Sequence, residues 1–158
     1  IYEPHYERIT RQDQVQIYQE LVKDPQGAFT TSFIAIDQHV KDNRLLPIGW
    51  TKDGPEGFSY PEATMPHGLA SKDKIFLDGS GADEIIYQVD LSELDGKPEA
   101  VYIRMFYQSI PPYYLDQRFK TSQGKETQRL HYLASHLKTE GTQIEGWKLL
   151  IASKYQQL

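Results

Sequence analysis

The sequence predicts a mainly β fold, a jelly-roll-like β-sandwich in a single domain over residues 1–158. Three observations point there. Strand-favouring residues are plentiful, with 11 tyrosines and 12% aromatics. Several segments alternate apolar and polar side chains. Only one stretch carries a long helical period, so the helices form an insert at about residues 109–141.

Taken in order, Gln14 to Val22 places Val15, Ile17 and Leu21 on one face and Gln16, Tyr18 and Glu20 on the other, the pattern of a half-buried strand. Asp24-Pro25-Gln26-Gly27 reads as a turn, with Pro second and Gly fourth. The apolar, Thr-rich run Ala28 to Ile36 then returns as the second strand of a hairpin. Asp37 to Lys41 fits a strand or a short helical turn. A long loop, about 46–80, follows; it holds Pro47, Pro55, Pro61 and Pro66 and five glycines, Gly57 among them. Its aromatics, Trp50, Phe58 and Tyr60, anchor it or face a partner.

Ile85 to Leu91 and Ala100 to Gln108 are strands that the intervening Asp95-Gly96 joins as a hairpin. The second has Val101, Ile103, Met105 and Tyr107 on one face. Tyr102 and Phe106 make its other face partly apolar, so a central position covered on both sides is expected. Pro111-Pro112 opens a short helix, Tyr113 to Phe119. Lys125 to Thr139 repeats Leu130, Leu133, Ala134 and Leu137 at helical spacing, with Gly141 as its stop. Trp147 to Ala152 closes the chain as a strand.

Composition removes whole classes of function. There is no cysteine, which excludes disulfides, thiolate metal sites, a cysteine nucleophile and the C-x-x-C-H attachment of haem c. A net charge of −5 without a dense basic stripe argues against nonspecific nucleic-acid binding. No apolar run approaches the ~20 residues of a membrane helix. The chain opens on Ile1 rather than Met, as a processed or excised piece would.

Candidate chemistry is sparse. His131 and His136 share a helix but stand about 140° apart around it, so they do not share a face. His67, in Met65-Pro66-His67-Gly68, is the loop histidine free to serve an external ligand. Asp78, Ser80 and Asp83, spaced by glycines in Asp78-Gly79-Ser80-Gly81-Ala82-Asp83, offer oxygens for a hard cation such as calcium; the same composition also makes ordinary turns. G-x-S-x-G and phosphate-loop motifs are missing, and no carboxylate pair stands out. Trp50, Phe58, Tyr60, Tyr113 and Tyr114 are the candidate stacking or interaction residues.

Several strings are more particular. Val40-Lys41-Asp42-Asn43-Arg44-Leu45-Leu46-Pro47-Ile48-Gly49-Trp50 resembles a signature of the C-terminal, non-haem β-domain that accompanies bacterial multihaem c-type cytochromes. Gln16 to Gln19, Thr30-Thr31-Ser32, Asp78 to Val89, Tyr107-Gln108-Ser109-Ile110-Pro111-Pro112-Tyr113 and Gly146 to Ala152 follow in that domain's order, so the likeness spans about Val15 to Ala152. The resemblance implies a noncatalytic accessory unit of an exported electron-transfer system, in the periplasm or outside the cell, packing against or positioning a multihaem module. Haem c would then belong to an adjoining segment or partner, with His67 a candidate axial ligand in trans. Asn43 and Arg44 read as structural, Arg44 giving donors to loop carbonyls. Two other readings stand beside this one: a calcium-assisted carbohydrate-binding module, and an enzyme whose carboxylates converge only in the fold. An oligomer is compatible with all three.

Overall fold

The computed structural model describes residues 2–56 and 58–158; Ile1 and Gly57 lie outside the described residues. Among the described residues, seven strands in three small sheets and two α-helices make the fold predominantly β with a helical part. It divides into two compact units, Ile1–Leu91 and Ser92–Leu158.

In the first unit, β2 (Glu20–Lys23) is the middle of a three-stranded antiparallel sheet, flanked by β3 (Phe29–Thr30) and β4 (Gln38–Asp42). The turn between β2 and β3 forms as its residues dictate. Asp24 Oδ1 accepts the Gln26 and Ala28 N–H groups, and the Gly27 N–H reaches the Asp24 carbonyl at 2.9 Å. Elsewhere the strands differ from expectation. Residues 14–19 are irregular because side chains serve their backbone instead of a neighbouring strand. Lys41 Nζ donates to the Ile17 carbonyl, and Asn43 Oδ1 accepts the Gln19 N–H. The expected strand Ala28 to Ile36 stops at Thr30. Ser32 N–H turns back to Thr30 Oγ1, and Phe33–Ala35 winds into a single 3₁₀ turn. Of the two readings for Asp37 to Lys41, the structure shows the strand.

β1 (Arg8–Ile9) and β5 (Ile86–Tyr87) pair in parallel. The long loop is organised by two 3₁₀ turns, Glu62–Thr64 and Gly68–Lys72. His67 and Asp42 exchange backbone hydrogen bonds of 3.0 and 3.3 Å, which pins this loop to β4. Gly68, at φ +71°, is required there: a Cβ would stand 2.8 Å from the Val40 carbonyl.

In the second unit, β6 (Ala100–Tyr107) pairs antiparallel with β7 (Leu149–Gln157), not with Ile85 to Leu91. The expected hairpin around Asp95-Gly96 is therefore replaced by a long-range ribbon, with Leu91–Glu93 forming a 3₁₀ turn before the gap. β6 is also not covered on both sides. It lies in a two-stranded ribbon, and its residues 101–107 are all exposed. The helices lie where expected, α1 over Pro112–Thr121 and α2 over Lys125–His136. α2 ends short of Gly141. His136 Nδ1 meets the Tyr132 carbonyl at 2.8 Å, and Leu137 leaves helical geometry with ψ 117°.

Candidate functional site

The densest constellation of chemistry lies in the first unit and centres on Lys41-Asp42-Asn43. All three are buried, as are His5 and Asp73. The strand period of β4 turns Lys41 inward, where Nζ donates to the Glu3 and Ile17 carbonyls at 2.8 and 2.6 Å. This ties the N-terminal segment to the sheet. Burial pushes the Lys41 ammonium down to about 8, since a charge removed from water favours its neutral form. Asp42 accepts from Arg44 Nε at 2.9 Å, and this bond holds the guanidinium above its ordinary pKa. Arg44 reaches onward to the Ala63 carbonyl at 3.3 Å, the loop contact expected of it.

His5 sits inside this knot with both ring nitrogens engaged. Nε2 lies 3.1 Å from Asp73 Oδ2. Nδ1 lies 3.1 Å from Gln16 Nε2 and 3.2 Å from Asn43 Nδ2. The amide orientations follow from their oxygens: Gln16 Oε1 accepts the Tyr6 N–H, and Asn43 Oδ1 accepts the Gln19 N–H. Two NH₂ groups therefore converge on Nδ1, which has to be the acceptor. The imidazole is neutral, carries its proton on Nε2, and donates it to Asp73. Asp73 Oδ1 in turn accepts the Ile75 and Phe76 N–H groups, and the Phe76 ring packs 5.0 Å from His5.

Asp83 joins from the far side. Its Oδ2 accepts from Tyr18 Oη at 2.7 Å and from Gln16 Nε2 at 3.4 Å, while Oδ1 is enclosed with no hydrogen-bond partner among the described residues. Burial and the Asp83 carboxylate raise the Tyr18 phenol well above its usual range. His5, Asp73 and Asp83 present ligand-type atoms within 4.8 Å of one another. They do not fit a metal centre as arranged. A ligating imidazole needs a bare nitrogen with its other N–H on an acceptor. Here the nitrogen with the lone pair is capped by two amide groups, and the other holds the Asp73 hydrogen bond. Apart from Asp83 Oδ1, the knot works as a closed hydrogen-bond network.

The expected calcium residues have different hydrogen-bond partners. Asp78 Oδ1 accepts the Ser80 N–H at 2.7 Å, hydrogen bonding from the Ser80 side chain and backbone holds the Asp78 carboxyl below its ordinary pKa, and Ser80 Oγ accepts the Ala82 N–H at 3.1 Å. These are consecutive local turns, whereas Asp83 points back to Tyr18. Gly81 makes the tight passage; a Cβ there would stand 2.8 Å from Ile48 Cγ1.

The long loop carries a graded aromatic ridge. Trp50 is buried, Tyr60 stacks on it with centroids 5.8 Å apart, and Phe58 meets Tyr60 edge-on at 5.2 Å. Phe58 is 51% exposed, so the ridge runs from the core to the surface. His67 stacks on His39 at 4.9 Å, and its Nε2 lies 2.9 Å from the Glu62 carbonyl. His39 Nδ1 in turn lies 2.9 Å from Glu20 Oε1, out of line for a directed hydrogen bond. Tyr113 and Tyr114 are on α1 in the second unit, where the Arg118 guanidinium covers the Tyr114 ring at 5.1 Å.

His5, Lys41, Asp73 and Tyr18 were not legible as a group in the sequence. From His5, Asn43 is 38 and Asp73 is 68 residues away, which leaves no local pattern, and only the Lys41-Asp42-Asn43 string, singled out for its resemblance, marked the place. Comparison with protein-family models, with curated proteins and with solved structures finds no match.

Proposed function

We propose that this chain is a noncatalytic interaction domain of an exported multihaem cytochrome system. It docks against the haem module through the exposed end of its aromatic ridge. The observation that carries the reading is the Trp50–Tyr60–Phe58 stack. A buried indole fixes a tyrosine, and the tyrosine fixes a half-exposed phenylalanine, so the contact ring is held rigid before any partner arrives. Rigid aromatic anchors of this kind dominate binding energy at protein interfaces. The absence of cysteine means that haem c is not attached covalently to this chain, so the haem belongs to the partner surface or an adjoining segment. The neutral, fully bonded His5 supports a structural rather than catalytic role for the knot. A sandwich layering of the small sheets is part of the same proposal, with the haem module as the neighbouring layer.

The test uses the immobilised full chain and the exported fraction of its native source. The wild-type chain retains a haem-staining protein, and Phe58→Ser reduces its retention by about tenfold or more. Retention of no haem protein, or equal retention by the variant, overturns the reading.

A further inference from the structure

The second unit lacks what makes a unit self-sufficient. No residue from Ser92 to Leu158 is buried. The chain exposes 12410 Å², against about 9,800 Å² for two compact units of these sizes standing wholly apart, an excess of roughly 2,600 Å². A standard interface takes about 800 Å² from each partner, so the excess supplies more than one contact per chain.

Two surfaces gather exposed large apolar side chains. On the β6–β7 ribbon, register places Tyr102 opposite Tyr155 and Phe106 opposite Leu150. The Arg104 guanidinium lies over both Tyr102 and Phe106, at 5.2 and 5.6 Å, and Lys148 Nζ lies 5.2 Å above Phe106. No acidic residue occurs over 100–115 or 146–158. The ribbon is aromatic and cationic. The other surface is the 3₁₀ knuckle Phe33–Ala35 in the first unit, where Phe33 is 83% and Ile34 99% exposed, followed by the exposed Asp37. Adjacent large apolar side chains standing this far into water mark an interaction site. The unit around them is acidic, with 15 Asp and Glu against 8 Lys and Arg, whereas the second unit has 7 against 9.

We infer that the chain self-associates, the apolar knuckle at Phe33-Ile34, carried by the acidic first unit of one copy, seating on the aromatic, cationic ribbon of a second copy. Ribbon-on-ribbon pairing is disfavoured because it sets Arg104 and Lys148 of two copies against one another. The contact is separate from the Phe58 ridge, so haem-module docking and self-association succeed or fail independently.

Sedimentation of the full chain over a range of concentrations tests this. The expected result is a mass that rises with concentration and falls as salt is raised. Ile34→Glu, on a side chain with no burial to lose, weakens association about 30-fold or more, and Arg104→Glu does likewise. Each variant keeps one intact half of the contact, so mixing the two restores complexes that neither forms alone. Circular dichroism verifies that each remains folded, and Lys148→Glu, whose ammonium also lies over Phe106, replaces Arg104→Glu if the latter unfolds. A wild-type chain that stays monomeric to its solubility limit overturns the inference. So does association that ignores both variants, or a mixture that forms nothing new.

Discussion

The two units spend their aromatic and charged residues in opposite ways. In Ile1–Leu91, charges are turned inward and matched. Lys41 serves two carbonyls, Asp73 serves a histidine and two amides, and Phe76 is 1% exposed against the His5 ring. In Ser92–Leu158, charges are turned outward onto rings, and no side chain is buried. A two-stranded ribbon has marginal stability by itself, whereas a polar knot with nearly every group satisfied is rigid and specific. Stability is therefore concentrated in the first unit, and unsatisfied surface in the second.

The strongest way to break this contrast is to remove the ring at the centre of the knot. Phe76→Ala deletes a fully enclosed aromatic and leaves a cavity beside His5. The expected cost is about 3–5 kcal/mol of unfolding free energy, read from denaturant melts. A cost under about 1 kcal/mol would mean that the first unit has no more of a core than the second.

Lys41 sharpens the contrast through pH. Its folded value is about 8 and its unfolded value is 10.5. Between those values the unfolded chain holds a proton that the folded chain has released, so stability rises with pH across the window. The increment is fully present above 10.5 and is lost as pH falls through 8. From pH 8 to 10 the gain is on the order of 2–3 kcal/mol. The neutral amine still has two N–H donors for the Glu3 and Ile17 carbonyls, so deprotonation leaves neither one unpaired. Melts of wild type and Lys41→Met across this range isolate the effect, because the variant lacks that slope. Parallel curves would show that Lys41 is solvated rather than enclosed.

The same contrast explains what the sequence could announce. Local signals were legible: the Asp24 to Gly27 turn, the prolines opening α1, and the Leu130 to Leu137 period of α2. Alternation in β6 was legible too, but alternation cannot say which strand is the partner. That partner, β7, lies about fifty residues onward, and the nearer Ile86–Tyr87 pairs instead with Arg8–Ile9. Gln14 to Gln19 alternates convincingly and still forms no strand, because Lys41 and Asn43 claim its backbone groups. The knot was invisible for a related reason. A buried lysine and a buried histidine look like surface residues until the fold supplies their acceptors. Of the expected interaction residues, Trp50, Phe58 and Tyr60 assemble into one ridge. Asp78 and Ser80 close on their own turn while Asp83 goes to Tyr18, a division that spacing alone does not reveal.

The smallest effect completes the comparison, and it uses the same chemical change in the other unit. Phe106 stands 41% exposed on the ribbon, touched by Arg104 and Lys148 rather than enclosed by neighbours. Deleting it forms no enclosed cavity, and the transfer term is reduced because the ring is already partly wet. What is lost is two cation–π contacts, each worth about 0.5–1 kcal/mol where exposed. At concentrations where the chain is monomeric, Phe106→Ala therefore lowers stability by about 1–2 kcal/mol, below Phe76→Ala. Raising the concentration separates the two again: the Phe106→Ala deficit grows as association stabilises only the wild type, whereas the Phe76→Ala deficit, set by a cavity inside the first unit, is already present in the monomer. Equal deficits for Phe106→Ala at low and high concentration would show that the ribbon face is uncovered in solution.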